Sequence, residues 1–259
     1  NDAGLRRIVP TLAEMSRVAI HNLKSSKNGF LLQIEGARID HAAHSNDLGA
    51  LINDQTAFEE AVRVAVEFAL EDGETLVVIT SDHANGNPGL NGYGAEYIDS
   101  TAGLKSVLNM KSSYSSLLSE LGIGATPDKC IAVIKDKLAI ELTKPEAEIV
   151  AGVTAGKTPF GSSIFYRNAQ ATLAVILGNH TKVTWTSTNH TSDHVLVTAI
   201  GPGKEAFAGL TQNTTMFDII LDQKDLKHSN PTMDFAEAKK HYDKLKSDDK
   251  SAVIEAHWD

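Results

Sequence analysis

Between residues 11 and 80 the hydrophobic pattern switches between two periods. Leu12, Met15, Val18, Ala19 and Leu23 recur at helical spacing behind Pro10 and Thr11, which predicts a helix packed by one face on a core. Phe30 to Ile34 is instead a nearly continuous apolar run that ends at Glu35, the pattern of a strand buried on both faces. A long helical stretch follows from about Asn46 to Asp72, with Phe58, Val62, Ala65, Val66 and Ala69 as its inner stripe and Gly73 as its stop. Thr75 to Thr80 reads as a second buried strand and runs into Ser81-Asp82-His83. Strand, helix and strand in this order predict a parallel, right-handed crossover. Ligands of open α/β sheets bind beyond the carboxyl ends of such strands, and Glu35, Asp40, Asp82 and His83 fall there.

Beyond His83 the pattern is more broken. Residues 84–102 are rich in Asn and Gly and read as loop. Leu104 to Ala151 returns to helical spacing, interrupted at Gly122 to Pro127 and at Pro145, and predicts an inserted lid or crown over roughly residues 103–166. Its Leu117, Leu118 and Leu121 read as local core, Trp185 as a residue packed in the sheet and Trp258 as one of the tail. Residues 171–177, 182–185 and 194–200 read as strands, the last before Gly201-Pro202-Gly203. A helix is expected over about residues 214–221, and a solvated helix and tail from Lys239 onward.

Composition narrows the chemistry. With 42% hydrophobic and 22% charged residues, the 259-residue chain can bury a sizeable core, as one large domain or a domain with an insertion. Its 24 Lys and Arg against 33 Asp and Glu give a net charge of −9, which disfavours nucleic-acid binding. No apolar run reaches the roughly 18–20 residues that span a bilayer, and Asn1 to Arg7 lack the apolar core of a secretory signal, so a soluble chain is expected. A single cysteine, Cys130, excludes an internal disulfide framework and a cysteine-based zinc knuckle. Any metal falls to Asp, Glu and the ten histidines.

The segment Glu35-Gly36-Ala37-Arg38-Ile39-Asp40-His41-Ala42-Ala43-His44 is the most informative. Asp40 and His44 stand four residues apart, which puts a carboxylate and an imidazole on one side of a helical turn, as one divalent ion requires. Gly36 allows a tight turn after the strand and leaves Glu35 facing the same crevice. Asp82 and His83 are adjacent, so both serve one cluster only where strand gives way to loop, and the glycine-rich residues behind them supply that loop. A third candidate is Asn189-His190-Thr191-Ser192-Asp193-His194, in which spacing does not choose between the two histidines.

These residues resemble the alkaline phosphatase family. Pro10-Thr11-Leu12-Ala13-Glu14-Met15 through Phe30-Leu31-Leu32-Gln33-Ile34-Glu35-Gly36-Ala37-Arg38-Ile39-Asp40 is similar to the family's helix, strand and metal loop. Val77 to His83 resembles its second metal strand, and His190-Thr191-Ser192 with Val195 to Pro202 its last ligand and following strand. The resemblance covers most of the chain outside about residues 85–166. It implies a three-layer α/β sandwich with a mainly parallel central sheet flanked by helices. It assigns Asp40, His44 and His190 to one zinc, Asp82 and His83 to a second, and Glu35 to a magnesium. His41 stands where family members carry lysine or histidine, and would reach phosphate or a magnesium-bound water through solvent. His194 matches no ligand position.

The resembled activity is hydrolysis of phosphate monoesters through a phosphoserine. Two zinc ions about 4 Å apart suit it, since they clamp the attacking and leaving oxygens and reverse the field of an acidic protein that binds a dianion. The family's serine follows an aspartate in an Asp-Ser-Ala or similar motif upstream of the Glu35 segment, and no such motif precedes Glu35 here; Ser100 and Ser192 lie in other contexts. The first strand with its bridging aspartate and the phosphate-gripping arginine are also unmatched, and Arg38 is no substitute. The chain is therefore expected to be the carboxyl-terminal part of such an enzyme, inactive without the amino-terminal part, which would join it in one fold and cover its open sheet edge. The resemblance further implies a homodimer in the periplasm or secreted. A phosphodiesterase or sulfatase of the same superfamily, or a non-catalytic metal-binding fragment, are the competing readings.

Overall fold

The computed structural model describes residues 8–94, 97–160, 163, 165–166, 168–227 and 234–248. The chain divides into two compact units, Asn1–Gly209 and Leu210–Asp259, and every predicted site residue belongs to the first.

Helix α1 (Leu12–Leu23) starts where the sequence predicts, because Thr11 and Glu14 form a capping box: the Glu14 N–H donates to Thr11 Oγ1 at 3.1 Å and the Thr11 N–H to Glu14 Oε2 at 2.7 Å. Its buried residues are Ser16 and Ile20, whereas Met15 and Val18 are 48% and 60% exposed. The expected stripe is thus rotated. Helix α1 packs on the long helix α3 (Leu48–Asp72), which buries one narrow seam of it. Ser16 tolerates that seam because its hydroxyl donates to the Leu12 carbonyl at 2.7 Å.

Residues 30–36 have no strand partner among the described residues. Phe30, Leu32 and Ile34 are half-buried while Leu31, Gln33 and Glu35 are exposed, the period of an extended chain covered on one face. This corrects the expectation of burial on both faces. Side chains hold the segment instead: the Phe30 ring lies 6.3 Å from that of Phe68 on α3. Gly36 then passes so close to α3 that a Cβ would sit 2.9 Å from Phe58.

Helix α2 (Arg38–His44) carries Asp40 and His44. Asn46, at φ 50°, turns the chain, and Asp47 caps α3 by accepting from the Ala50 N–H at 3.0 Å. The most buried residues of α3 are Leu48, Gly49, Ala61, Val64 and Ala69, while Phe58, Val62, Ala65 and Val66 of the expected stripe are half-buried, and Gly73 ends the helix at φ 77°.

Strand β1 (Val77–Ile79) pairs antiparallel with β6 (Thr198–Ile200), Val77 opposite Ile200. Two shorter antiparallel ladders follow: β2 (Ala84–Asn85) with β5 (His190–Thr191), and β3 (Gly89–Leu90) with β4 (Val183–Thr184). The parallel crossover expected between residues 30–34 and 75–80 is not formed among the described residues. A crossover rule sets the direction of two strands but does not create hydrogen bonds between them, and β1 takes its partner from the far end of the unit. The ladders lay residues 77–90 along residues 183–200, and this brings the second and third candidate motifs together.

The region expected as an insertion is helical: α4 (Thr101–Lys105), α5 (Tyr114–Leu121), α6 (Pro127–Leu138) and α7 (Lys144–Thr154). Ser113, Thr126 and Thr143 each cap a helix through the side-chain oxygen, and Pro127 and Pro145 lie in first turns, where their missing N–H costs nothing. Leu117 and Leu121 are buried as expected, in a cluster with Ile134, Leu138, Val150, Leu173, Leu177 and Trp185. Residues 171–177, expected as a strand, form the middle of α8 (Ala169–Thr181). Asn168 caps this helix by accepting from the Ala171 N–H at 2.7 Å, and Ala171, Leu173, Ala174, Ile176, Leu177 and Gly178 are all buried. A helix covered on nearly every side shows no amphipathic period, so its apolar run mimics a buried strand.

The second unit contains α9 (Thr215–Gln223), where the sequence predicts it, and α10 (Phe235–Asp248), whose residues 235–244 are exposed. Trp258 lies outside the described residues. No helix among the described residues is long and apolar enough to cross a membrane.

Candidate metal centre

Three chain segments meet at one cluster. Helix α2 presents Asp40 and His44 on the same side, with His44 Nε2 3.5 Å from Asp40 Oδ2. The loop between β1 and β2 brings His83, and β5 brings His190. Asp40, His83 and His190 each offer a ligand atom within 4.8 Å of the others. His44 Nε2 lies 3.2 Å from His190 Nε2, and the rings of His83 and His190 stack with centroids 3.4 Å apart.

The protons of the cluster follow from its partners. His44 Nδ1 lies 2.6 Å from the carbonyl oxygen of Thr188. A carbonyl only accepts, so Nδ1 carries the hydrogen and Nε2 is the ring nitrogen that faces the cluster. Burial, reinforced by the imidazoles of His83 and His44, lowers the pKa of His190 in spite of the Asp40 and Asp82 carboxylates. Burial thus favours the neutral form of His190. His83 Nδ1 is buried without a hydrogen-bond partner. Imidazole nitrogens crowded around a carboxylate, with one buried nitrogen orphaned, fit a divalent cation, and the mixed N and O donor set suits zinc. The Nδ1–H to carbonyl contact of His44 is the support that metal-binding histidines ordinarily have.

The other predicted residues lie around this cluster. Asp82 is exposed, with Oδ2 3.3 Å from His83 Nε2. Glu35 is exposed at the end of the unpaired segment and belongs to no group of three metal-competent side chains among the described residues. His41 is exposed and pairs with Arg38, Nη1 to Nδ1 3.3 Å. His194 is exposed and stands apart from the triad. The triad also crosses the division implied by resemblance, since His83 stands with Asp40 and His190.

Sequence reasoning missed the supports. Asn85, read only as a turn residue, lies opposite His190 in the β2–β5 ladder and donates to Asp40 Oδ1 at 2.5 Å. Thr188 and Asn168 were also silent; Asn168 Nδ2 donates to the His44 carbonyl at 3.2 Å. No local pattern marks residues whose partners are remote in sequence. The Asn-Gly pair at Asn85 was the one available signal.

Residues 3–226 match the family model for alkaline phosphatase. Alkaline phosphatase 4 of Bacillus subtilis is 33% identical over 217 residues, which are 82% of this chain and 43% of that protein. Alkaline phosphatase 3 of the same organism is 31% identical over 80% of this chain and 42% of its own length. The crystal structure of Thermus thermophilus alkaline phosphatase superposes with a TM-score of 0.82 at 29% identity, covering 91% of this chain and 52% of that one. The chain thus spans less than half the length of these curated relatives, and its fold is the α/β fold of the alkaline phosphatases. The chain belongs to the alkaline phosphatase family.

Proposed function

We propose that this chain is the metal-holding, carboxyl-terminal part of a phosphomonoesterase that works through a phosphoserine. The observation that carries the reading is the convergence of Asp40, His83 and His190 within 4.8 Å, with His44 a further 3.2 Å contact of His190. In this reading Asp40, His44 and His190 hold one zinc, Asp82 and His83 contribute to a second, Glu35 holds a magnesium, and His41 faces the phosphate. The ions, when bound, supply the positive charge that a phosphate dianion needs in a protein of net charge −9. The chain's own residues do the positioning. Thr188 holds the His44 proton at Nδ1, and Asn85 fixes the carboxylate plane of Asp40. The nucleophilic serine belongs to the amino-terminal part of the protein, which completes the domain. Assembly as a homodimer outside the cytoplasm completes the reading.

The test is metal analysis and hydrolysis on one preparation. The 259-residue chain alone binds zinc but leaves an aryl phosphate intact, and the same chain joined to its amino-terminal part hydrolyses it, in preference to an aryl phosphodiester or an aryl sulfate. Full activity of the isolated chain sinks the proposed division of labour. Preference for the diester or the sulfate transfers the enzyme to another branch of the superfamily. Zinc binding with no hydrolysis on reconstitution leaves a non-catalytic metal-binding protein.

A further inference from the structure

Asn46 follows His44 by two residues and is fully buried, at 0% exposure, with φ at 50°. It is neither a candidate ligand nor the cap of α3, a task that Asp47 performs. With its amide nitrogen turned to the two carbonyls that surround it, it donates to Ser187 O at 2.8 Å and to Ala43 O at 2.9 Å. Each carbonyl stands one residue before a residue of the cluster's key contact. Ala43 precedes His44, and Ser187 precedes Thr188, whose carbonyl meets His44 Nδ1 at 2.6 Å. One side chain therefore ties the end of α2 to the loop that leads to His190.

We propose that Asn46 is a positioning residue for the metal cluster. By clamping both backbones it holds the Thr188 carbonyl where it keeps the proton on His44 Nδ1, and so aims His44 Nε2 at the cation site beside His190. The proposal rests on the metal reading given above. A buried amide that serves packing alone would stabilise the fold without touching the tautomer or the zinc affinity, and this difference is measurable.

The experiment compares N46G, N46S and T143A with the wild-type protein in the full chain. Glycine keeps the positive φ without strain and removes both donors, while serine keeps one. T143A removes the cap of α7, whose partners are Glu146 and the backbone of its own helix. Three quantities are read: the zinc dissociation constant by chelator competition, the melting temperature of the metal-free protein, and the His44 ring tautomer by nitrogen NMR of the metal-free protein. The expected result is a zinc affinity weakened about 10–100-fold in N46G, with the Nδ1–H signal lost, a smaller loss in N46S, and a T143A protein that melts earlier but binds zinc as the wild type does. Wild-type zinc affinity and tautomer in N46G, or in N46S if the glycine variant does not fold, overturn the proposal. Equal weakening of zinc binding in N46G and T143A at equal loss of stability also overturns it, as a general effect of loosening. Failure of the wild-type protein itself to bind zinc overturns the metal reading instead, and the proposal with it.

Discussion

At the scale of single residues, the interactions that matter join positions far apart in the chain. Asn85 donates to Asp40 Oδ1, which leaves Oδ2 on the side of His44. Replacing Asn85 with Ala frees the carboxylate to rotate, and zinc affinity should fall about 10-fold, within the range for lost support of a ligand; isothermal titration of the metal-free protein reads this directly. Gly86 has φ 63°, and a Cβ there would lie 2.9 Å from the Trp185 ring and 3.1 Å from Ala43 O. Gly86→Ala should therefore lower stability by about 1–3 kcal/mol through backbone strain and a displaced tryptophan, visible in thermal unfolding with a changed tryptophan emission. Glu146 is a separate case. Burial would raise its pKa, but the Asn179 amide, the Thr143 N–H and hydroxyl, and His180 outweigh burial and bring it from 4.5 to about 2. A lowered carboxyl pKa contributes stability that is present above the unfolded value and lost as pH falls through the folded one. The difference in stability between wild type and Glu146→Gln should thus be about 1–2 kcal/mol above pH ~4.5, after allowance for solvent screening. It should shrink to nothing as the pH falls towards ~2, and a pH series of urea unfolding curves checks it.

At the scale of elements, capping was more legible than packing. Thr11 and Gly73, the start and stop signals of α1 and α3, act locally, within four residues of the helix end they serve, so each is written in neighbouring sequence. Thr143→Ala should cost about 1 kcal/mol, as a lower melting temperature. The faces of helices were less legible. Met15 and Val18 carry the same periodic signal as Leu12, yet are exposed, because periodicity finds an apolar face without naming the element that covers it. Helix α8 shows the opposite failure. Surrounded by α4, α5 and α7, it has no polar stripe, and its residues 171–177 resemble a strand until their partners are known. Leu177, with no exposure at all, lies in this shared core; Leu177→Ala should cost about 2–5 kcal/mol in chemical denaturation.

At the scale of the whole molecule, a cation bound at the candidate metal centre would be coupled to the fold. The cluster draws on α2, the β1–β2 loop and β5, so a bound cation ties residues 40, 44, 83 and 190 into one object. Ligand binding to the native state alone raises stability in proportion to the logarithm of ligand excess. Chelation should lower the melting temperature of the first unit, and zinc at 100 times its dissociation constant should restore about 2.7 kcal/mol; a calorimetric scan with and without chelator reads both. The sequence by itself determined the family, the ends of α1 and α3 and the residue types of the candidate site, because these are recorded in spacings of four residues or fewer and in ordered motifs. Only the tertiary structure decided which side chains meet, that β1 pairs with β6 and not with residues 30–34, that Asn85 donates to Asp40 and that the Thr188 carbonyl meets His44. Those outcomes depend on hydrogen bonds and packing between segments from 45 to 144 residues apart, and no local pattern of polar and apolar residues carries that information.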